Sequence, residues 1–268
     1  MKTEMYCYME DRDKLVLPSG VPDYGDAFET WLDPDHTAVL EIDMHRGHVG
    51  PEDRLTLCVP RARDRVGAHN RFQAECRKMG IPIIHVQHWQ RHGGVDDLNN
   101  KKHNRMANWR VLYYLYVEDN ELMDEHSWEG TKWLDLITEE EEGDYYIRTK
   151  KRLSGFYPTD LEFLLRNLDV HNVVLTGTFT DACVLSTAFD AANLDFRVIV
   201  PRDVAAGFAE SAEESALQVI SLHLGLVVDA PALLAEYFAR SGRELPSDLQ
   251  GITEISEATG VINDVVAI

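Results

Sequence analysis

Residues 172–201 read NVVLTGTFTDACVLSTAFDAANLDFRVIVP, and no other stretch constrains the fold so tightly. It opens with Val, Val and Leu in a row, the composition of a strand buried on both faces. DACVLSTAFDAANL (181–194) then predicts a helix, and FRVIVP (196–201) a second strand. Two strands joined through a helix run parallel, and a parallel sheet needs helices over both of its faces.

The same rhythm recurs on either side. TAVLEID (37–43), bounded by Pro34 and Gly47, predicts a buried strand; PRARDRVGAHNRFQAECRKMG (60–80) a helix; IPIIHVQHW (81–89) a strand. DYYIRTK (144–150) is a strand, and PTDLEFLLRNL (158–168) a helix capped by Thr159 or Asp160. SAEESALQVISLHLG (211–225) is a helix with Ser211 and Glu214 placed as a capping box. LVVD (226–229) and APALLAEYFARSG (230–242) are the last strand and helix. The expected fold is α/β: a doubly wound, mainly parallel six-stranded sheet in three α/β/α layers. Residues 1–36 are polar, with Pro18, Pro22 and Pro34, and read as an N-terminal arm. The main domain is expected over 37–242, broken by an insertion at about 90–143 that includes the acidic run ITEEEEGD, a solvated face. Residues 243–268 read as a C-terminal tail.

Composition excludes some partners. A net charge of −20 over 268 residues repels nucleic acid and anionic membrane surfaces. No run approaches 18 apolar residues, and the N-terminus has no apolar signal core. The four cysteines form no C-x-x-C pair, so neither a disulfide framework nor a cysteine metal site is expected. The expected setting is the cytoplasm, and the expected partner a small molecule.

Three reactive groups fall at strand ends. Asp43 ends the first strand, Lys150 the third, and Cys183 follows the fourth. Parallel strands bring all three to one rim, where sites of doubly wound sheets lie. Each has an ordinary alternative: a turn-forming aspartate, a solvated lysine among Arg148, Lys151 and Arg152, a small buried thiol. Together they make chemical sense. A helix start and a lysine lower a thiol pKa, a carboxylate moves its proton, and backbone N–H groups hold an oxyanion. These are the parts of acyl transfer from an amide-like substrate.

The run TKKRLSGFYPTDLEFLLRNLDVHNVVLTGTFTDACV, with VLEIDMH around Asp43 and IPIIHVQH between, resembles the isochorismatase-like cysteine hydrolase superfamily over about residues 37–229. The resemblance implies a catalytic Asp43, Lys150 and Cys183; Lys150 stands six positions before Phe156, as in the family. It implies a cis peptide between Thr178 and Phe179, and an oxyanion hole from the N–H groups of Phe179 and Cys183. It implies a thioester route to ammonia release without metal or organic cofactor, and a homo-oligomer, dimer or tetramer.

Within that family Cys183 argues against the vinyl-ether reaction of true isochorismatases. HVQHWQRHGG lacks the Asp-x-His metal site of nicotinamidases; His85, His88 and His92 are the histidines there, with pocket lining the alternative to ligation. No metal is expected. His45 and His48 beside Asp43, with Arg46 between them, His88, Trp89, Arg152 and Phe156 are the candidate substrate contacts. The expected enzyme is a cysteine-dependent amidohydrolase of a small amide or carbamoyl/ureido compound. An ether or ester hydrolase of the isochorismatase type, or a nicotinamidase-like enzyme, is the alternative.

Overall fold

The computed structural model describes residues 28–50, 59–96 and 126–247. Their strands are β1 (Thr37–Ile42), β2 (Ile83–His88), β3 (Tyr145–Lys150), β4 (Asn172–Thr178), β5 (Arg197–Pro201), β6 (Ala205–Ala206) and β7 (Gly225–Val228). They form one sheet in the order β3-β2-β1-β4-β5-β7, with the two-residue β6 alongside β4. Every pairing is parallel. The sequence anticipates six of the seven strands; β6 is too short to leave a periodic signal.

Side chains alternate across the sheet as parallel strands buried on both faces require. Leu40, Ile42, Val86, Leu175 and Val200 face one layer, with Leu161, Leu165, Val184, Ala188 and Ile220 packed on them. Those residues belong to α4 (Leu161–Asn167), to the turn before α5 (Leu185–Asn193), to α5 itself and to α6 (Glu210–His223). Val39, Ile83, Val174 and Ile199 face the other layer. It is built by Phe72 and Cys76 of α3 (Val66–Lys78) and by Leu233, Tyr237 and Phe238 of α7 (Ala230–Arg240). Two short helices, α1 (Arg46–Val49) and α2 (Pro60–Asp64), flank the segment that follows β1. The three-layer expectation holds.

Local details differ from the sequence reading. The N-cap of helix α6 is Ala209, two residues before the proposed Ser211, and it makes no side-chain cap bond. The run after β4 is not one α-helix: Thr180–Val184 form a π-helical turn before α5. Of the proposed Thr159 and Asp160 caps, Asp160 takes the N-cap position without a side-chain bond, while Thr159 Oγ1 accepts the N–H of Leu161 at 3.3 Å. Most of the proposed arm, tail and insertion lies outside the described residues, at 1–27, 248–268 and 97–125.

One charge sits where an apolar strand has no obvious use for it. Glu41 of β1 is buried and accepts from Gln73 at 2.6 Å and Thr138 at 2.9 Å; its other partner is His85 at 2.5 Å. His85 meets Asp144 at 3.0 Å, and Arg77 donates to the same carboxylate at 2.7 Å. Burial opposes a charge on His85, but the hydrogen bond and charge of Glu41, then those of Asp144, outweigh it and raise its pKa. This network ties β1 and β2 to the start of β3 and to α3.

The order of strands reverses between β1 and β4, and a doubly wound sheet opens its crevice at that point. The two strands run very close there. Gly177 pairs with Ile42 at φ 97°, and a Cβ on it would stand 2.1 Å from the Ile42 carbonyl oxygen. Gly177→Ala combines a disfavoured φ with a backbone clash and is expected to cost roughly 2–4 kcal/mol. Urea unfolding checks this as a lower midpoint at unchanged slope; an unchanged midpoint would refute the close approach.

Candidate active site

The crevice holds Asp43 and Cys183, and Lys150 reaches it across the end of β2. Asp43 follows β1 in the left-handed region, φ 55°, which turns its carboxylate back over the strand ends. One oxygen accepts the His88 N–H at 2.6 Å; the other accepts from Lys150 Nζ at 2.6 Å. Lys150 Nζ also lies 3.5 Å from Cys183 Sγ. Asp43 and Lys150 are fully buried and Cys183 is 5% exposed. The sulfur sits in the π-helical turn, whose shape is held by Ala182 and Val184 N–H groups donating to the Phe179 carbonyl at 3.0 and 2.9 Å. Thr187 Oγ1 donates to the Cys183 carbonyl at 2.6 Å and accepts the Gly155 N–H at 2.9 Å, which clamps the loop after Lys150 to the turn. The Thr178–Phe179 peptide is cis.

Charge in this pocket follows from burial and pairing. Burial works against an ammonium at Lys150, but the Asp43 carboxylate, and then the sulfur, more than restore it, so Lys150 is held above its ordinary pKa. For Cys183 burial dominates and pushes the thiol up to about 12, against the pull of Lys150 and with the Asp43 carboxylate adding to the rise. The sequence reading expected a thiol lowered by lysine and helix start; in the folded site, desolvation outweighs both. The resting proton therefore sits on sulfur, beside the Asp43 carboxylate. Moving it to Asp43 leaves the net charge of the pocket unchanged, whereas losing it to solvent adds an uncompensated charge to a buried site. The raised pKa opposes only the second process.

The other candidate residues separate into groups. His45 is buried beside Asp43; its Nδ1–H donates to the Trp133 carbonyl at 2.9 Å, and burial lowers its pKa and keeps it neutral. Its buried Nε2 has no hydrogen-bond partner among the described residues. His48 stands next to it, ring centroids 4.3 Å apart, and 5.5 Å from the Phe179 ring. His88 is buried at the end of β2. Trp89 turns elsewhere: with Lys132, Asp135, Leu136, Glu140 and Arg148 it lines a cleft of 480 Å³ that none of Asp43, Lys150 and Cys183 borders. Phe156 packs against Phe196, ring centroids 5.9 Å apart, as part of the core. Arg152 donates to the Lys151 carbonyl at 2.6 Å. The structure thus gathers His45, His48 and His88 around Asp43 but gives Trp89 and Phe156 other neighbours.

The histidines of HVQHWQRHGG do not form a set. His85 is committed to Glu41 and Asp144, and His92 packs edge-on to Trp128. His88 instead meets His48 and His126, with one nitrogen of each within 4.8 Å of the others. A second overlapping set is Asp43, His45 and His48, and a surface set is His36, Asp169 and His171. His126 was not singled out in the sequence: it falls inside the insertion, and only the fold brings it to the strand ends.

The model of the isochorismatase domain matches residues 37–232. The chain is 31% identical over 230 residues to the ureidoacrylate amidohydrolase RutB of Methylobacterium radiotolerans, an alignment spanning 82% of this chain and 86% of that protein. It is 34% identical over 121 residues to an uncharacterised isochorismatase family protein of Bacillus subtilis, covering 42% of this chain and 66% of that one. The crystal structure of a cysteine hydrolase from Pseudomonas syringae superposes with a TM-score of 0.68, covering 84% of this chain and all of that one at 21% identity. With the parallel sheet, the strand-end crevice and these matches in agreement, the chain belongs to the isochorismatase family.

Proposed function

We propose that the chain is a cysteine-dependent amidohydrolase that cleaves a C–N bond of a small carbamoyl or ureido compound and releases ammonia. One observation carries the reading: a buried ammonium, Lys150 Nζ, placed 2.6 Å from Asp43 and 3.5 Å from Cys183 Sγ at the strand-order switch. Its similarity to a ureidoacrylate amidohydrolase over 82% of its length supports the ureido class over simple carboxamides.

The steps follow from the proton positions. As Sγ attacks the substrate carbonyl carbon, its proton passes to Asp43. Lys150 holds the developing thiolate and keeps the pocket electrically balanced. The carbonyl oxygen becomes an oxyanion, received by the N–H groups of Phe179 and Cys183. Asp43 then gives the proton to the departing nitrogen, the C–N bond breaks, and ammonia leaves. A water deprotonated by Asp43 attacks the remaining thioester, and the proton returns to sulfur as the product departs.

The test is ammonia release from a panel of N-carbamoyl and ureido acids, biuret, nicotinamide and simple carboxamides. Turnover concentrated among the ureido compounds is the expected result. Turnover of nicotinamide alone would refute the substrate class, and no ammonia from any compound would refute the amidohydrolase reading.

A further inference from the structure

One cavity has no part in the thiol chemistry. The cleft that Trp89 lines is walled by the end of β2, by β3 and by the segment 130–140, and it holds 480 Å³. Its charged lining is balanced, with Lys132 and Arg148 against Asp135 and Glu140. Trp89, Leu134 and Leu136 supply apolar wall. We infer that this cleft is a second binding site, for a free α-amino acid with an apolar side chain, whose carboxylate meets Arg148 and whose ammonium meets Asp135.

Arg148 is held ready for a carboxylate. Its Nε–H donates to Gln87 Oε1 at 3.3 Å. Gln87 is buried, and its own Nε2–H donates to the Leu134 carbonyl at 2.8 Å, which fixes the amide oxygen toward the arginine. The guanidinium carbon lies 4.3 Å from the centre of the Tyr146 ring and 5.5 Å from that of Trp89. These contacts hold a long side chain in one place, and no carboxylate among the described residues pairs with it. Its two Nη groups remain, the fork that binds a carboxylate through paired N–H bonds. In a chain of net charge −20, a fixed arginine without an acidic partner marks a local site for an anionic group.

Asp135 supplies the opposite charge. Its carboxylate is exposed and has no partner among the described residues. Its backbone is pinned: the Arg46 N–H donates to its carbonyl at 2.8 Å, and its own N–H donates to the Lys132 carbonyl at 3.2 Å. The other two charges are engaged. Glu140 accepts from the Tyr146 hydroxyl at 2.8 Å, and Lys132 Nζ lies 4.4 Å from the centre of the Trp133 ring. A simple anion entering the cleft would meet Asp135 and Glu140 as well as the cations, and a simple cation would meet the reverse. A zwitterion matches both signs, and the apolar wall receives its side chain. The cleft is separate from the crevice but shares its supports. The Trp89 N–H donates to the Lys150 carbonyl at 2.9 Å, and the Trp133 carbonyl accepts from His45 at 2.9 Å.

The experiment is equilibrium dialysis of the full chain with radiolabelled leucine. The competitors are 4-methylpentanoate, which lacks the ammonium, and 3-methylbutylamine, which lacks the carboxylate. One leucine per chain is expected, with each competitor at least about 10-fold weaker than unlabelled leucine. Arg148→Ala and Asp135→Asn should each weaken leucine binding by at least about 10-fold. Both side chains are exposed, so neither change disturbs the core. Absence of saturable leucine binding by the wild type overturns the inference. Competition by 4-methylpentanoate or 3-methylbutylamine as strong as by leucine overturns it as well, since the cleft then does not read a zwitterion. Binding unchanged in both variants places leucine in another pocket, the crevice included, and also overturns it. Cys183→Ala should bind leucine as the wild type does, so the outcome is independent of whether the chain hydrolyses a ureido compound.

Discussion

Cys183→Ala is expected to lower ammonia release by at least about 10³-fold while the protein keeps its fold, because the proposed thioester route loses its nucleophile. The lost sulfur is small, and the vacated space should cost about 1 kcal/mol. Rate and stability therefore part company in this variant, which distinguishes a nucleophile from a packing residue. Turnover within tenfold of wild type would refute the thioester route and favour an ether or ester hydrolase acting through Asp43 and Lys150. The raised thiol pKa gives a second readout. Alkylation of the free enzyme by iodoacetamide should climb through the alkaline range without a plateau until about pH 12, as burial dictates. The sign of the linked stability follows. A folded pKa above the unfolded value of about 8.5 stabilises fully below that pH and is lost as pH rises toward 12. The wild type should lose more stability than Cys183→Ala across that window.

How far the sequence reached depends on the range of the physics involved. Strand and helix order was legible because parallel strands leave continuous apolar runs such as Val173–Leu175, and their crossover helices leave a longer amphipathic one. The rim was legible because Asp43 and Lys150 sit at strand ends and Cys183 just beyond one, and strand direction alone carries them to one side. The thiol pKa was not legible. Helix start and lysine are local features, while the burial that outweighs them comes from the packed layers of α4, α5 and α6. The histidines show the same division. His85, His88 and His92 are close in sequence, yet strand alternation and the turn after β2 part them, and His88 finds its partners 40 and 38 residues away in His48 and His126. Glu41 was not singled out in the sequence, although a carboxylate inside TAVLEID needs buried partners and the fold supplies them.

Lys150→Met is expected to cost roughly 3–5 kcal/mol of stability as well as nearly all activity. Methionine fills much of the lysine's volume, so packing is not the main loss. The loss is electrostatic: Asp43 remains fully buried and keeps the His88 N–H at 2.6 Å, but its counter-ion is gone. Asp43→Asn is expected to harm the fold in the mirror-image way, leaving the ammonium of Lys150 with only a neutral amide and the neutral thiol beside it. The double variant Asp43→Asn/Lys150→Met removes both charges, and it should recover most of the stability lost by either single change. It should recover none of the activity, since neither the base nor the cation is left. Urea unfolding of the four proteins, with ammonia release in parallel, checks both statements. A Lys150→Met protein within 1 kcal/mol of wild type would mean that the carboxylate does not depend on Lys150 for its charge, and would refute the coupled pair on which the proton transfer rests. A double variant more stable than wild type would carry the opposite meaning. Two charges whose removal strengthens the fold are held in the crevice for the reaction, and the sheet supports them at a cost in stability.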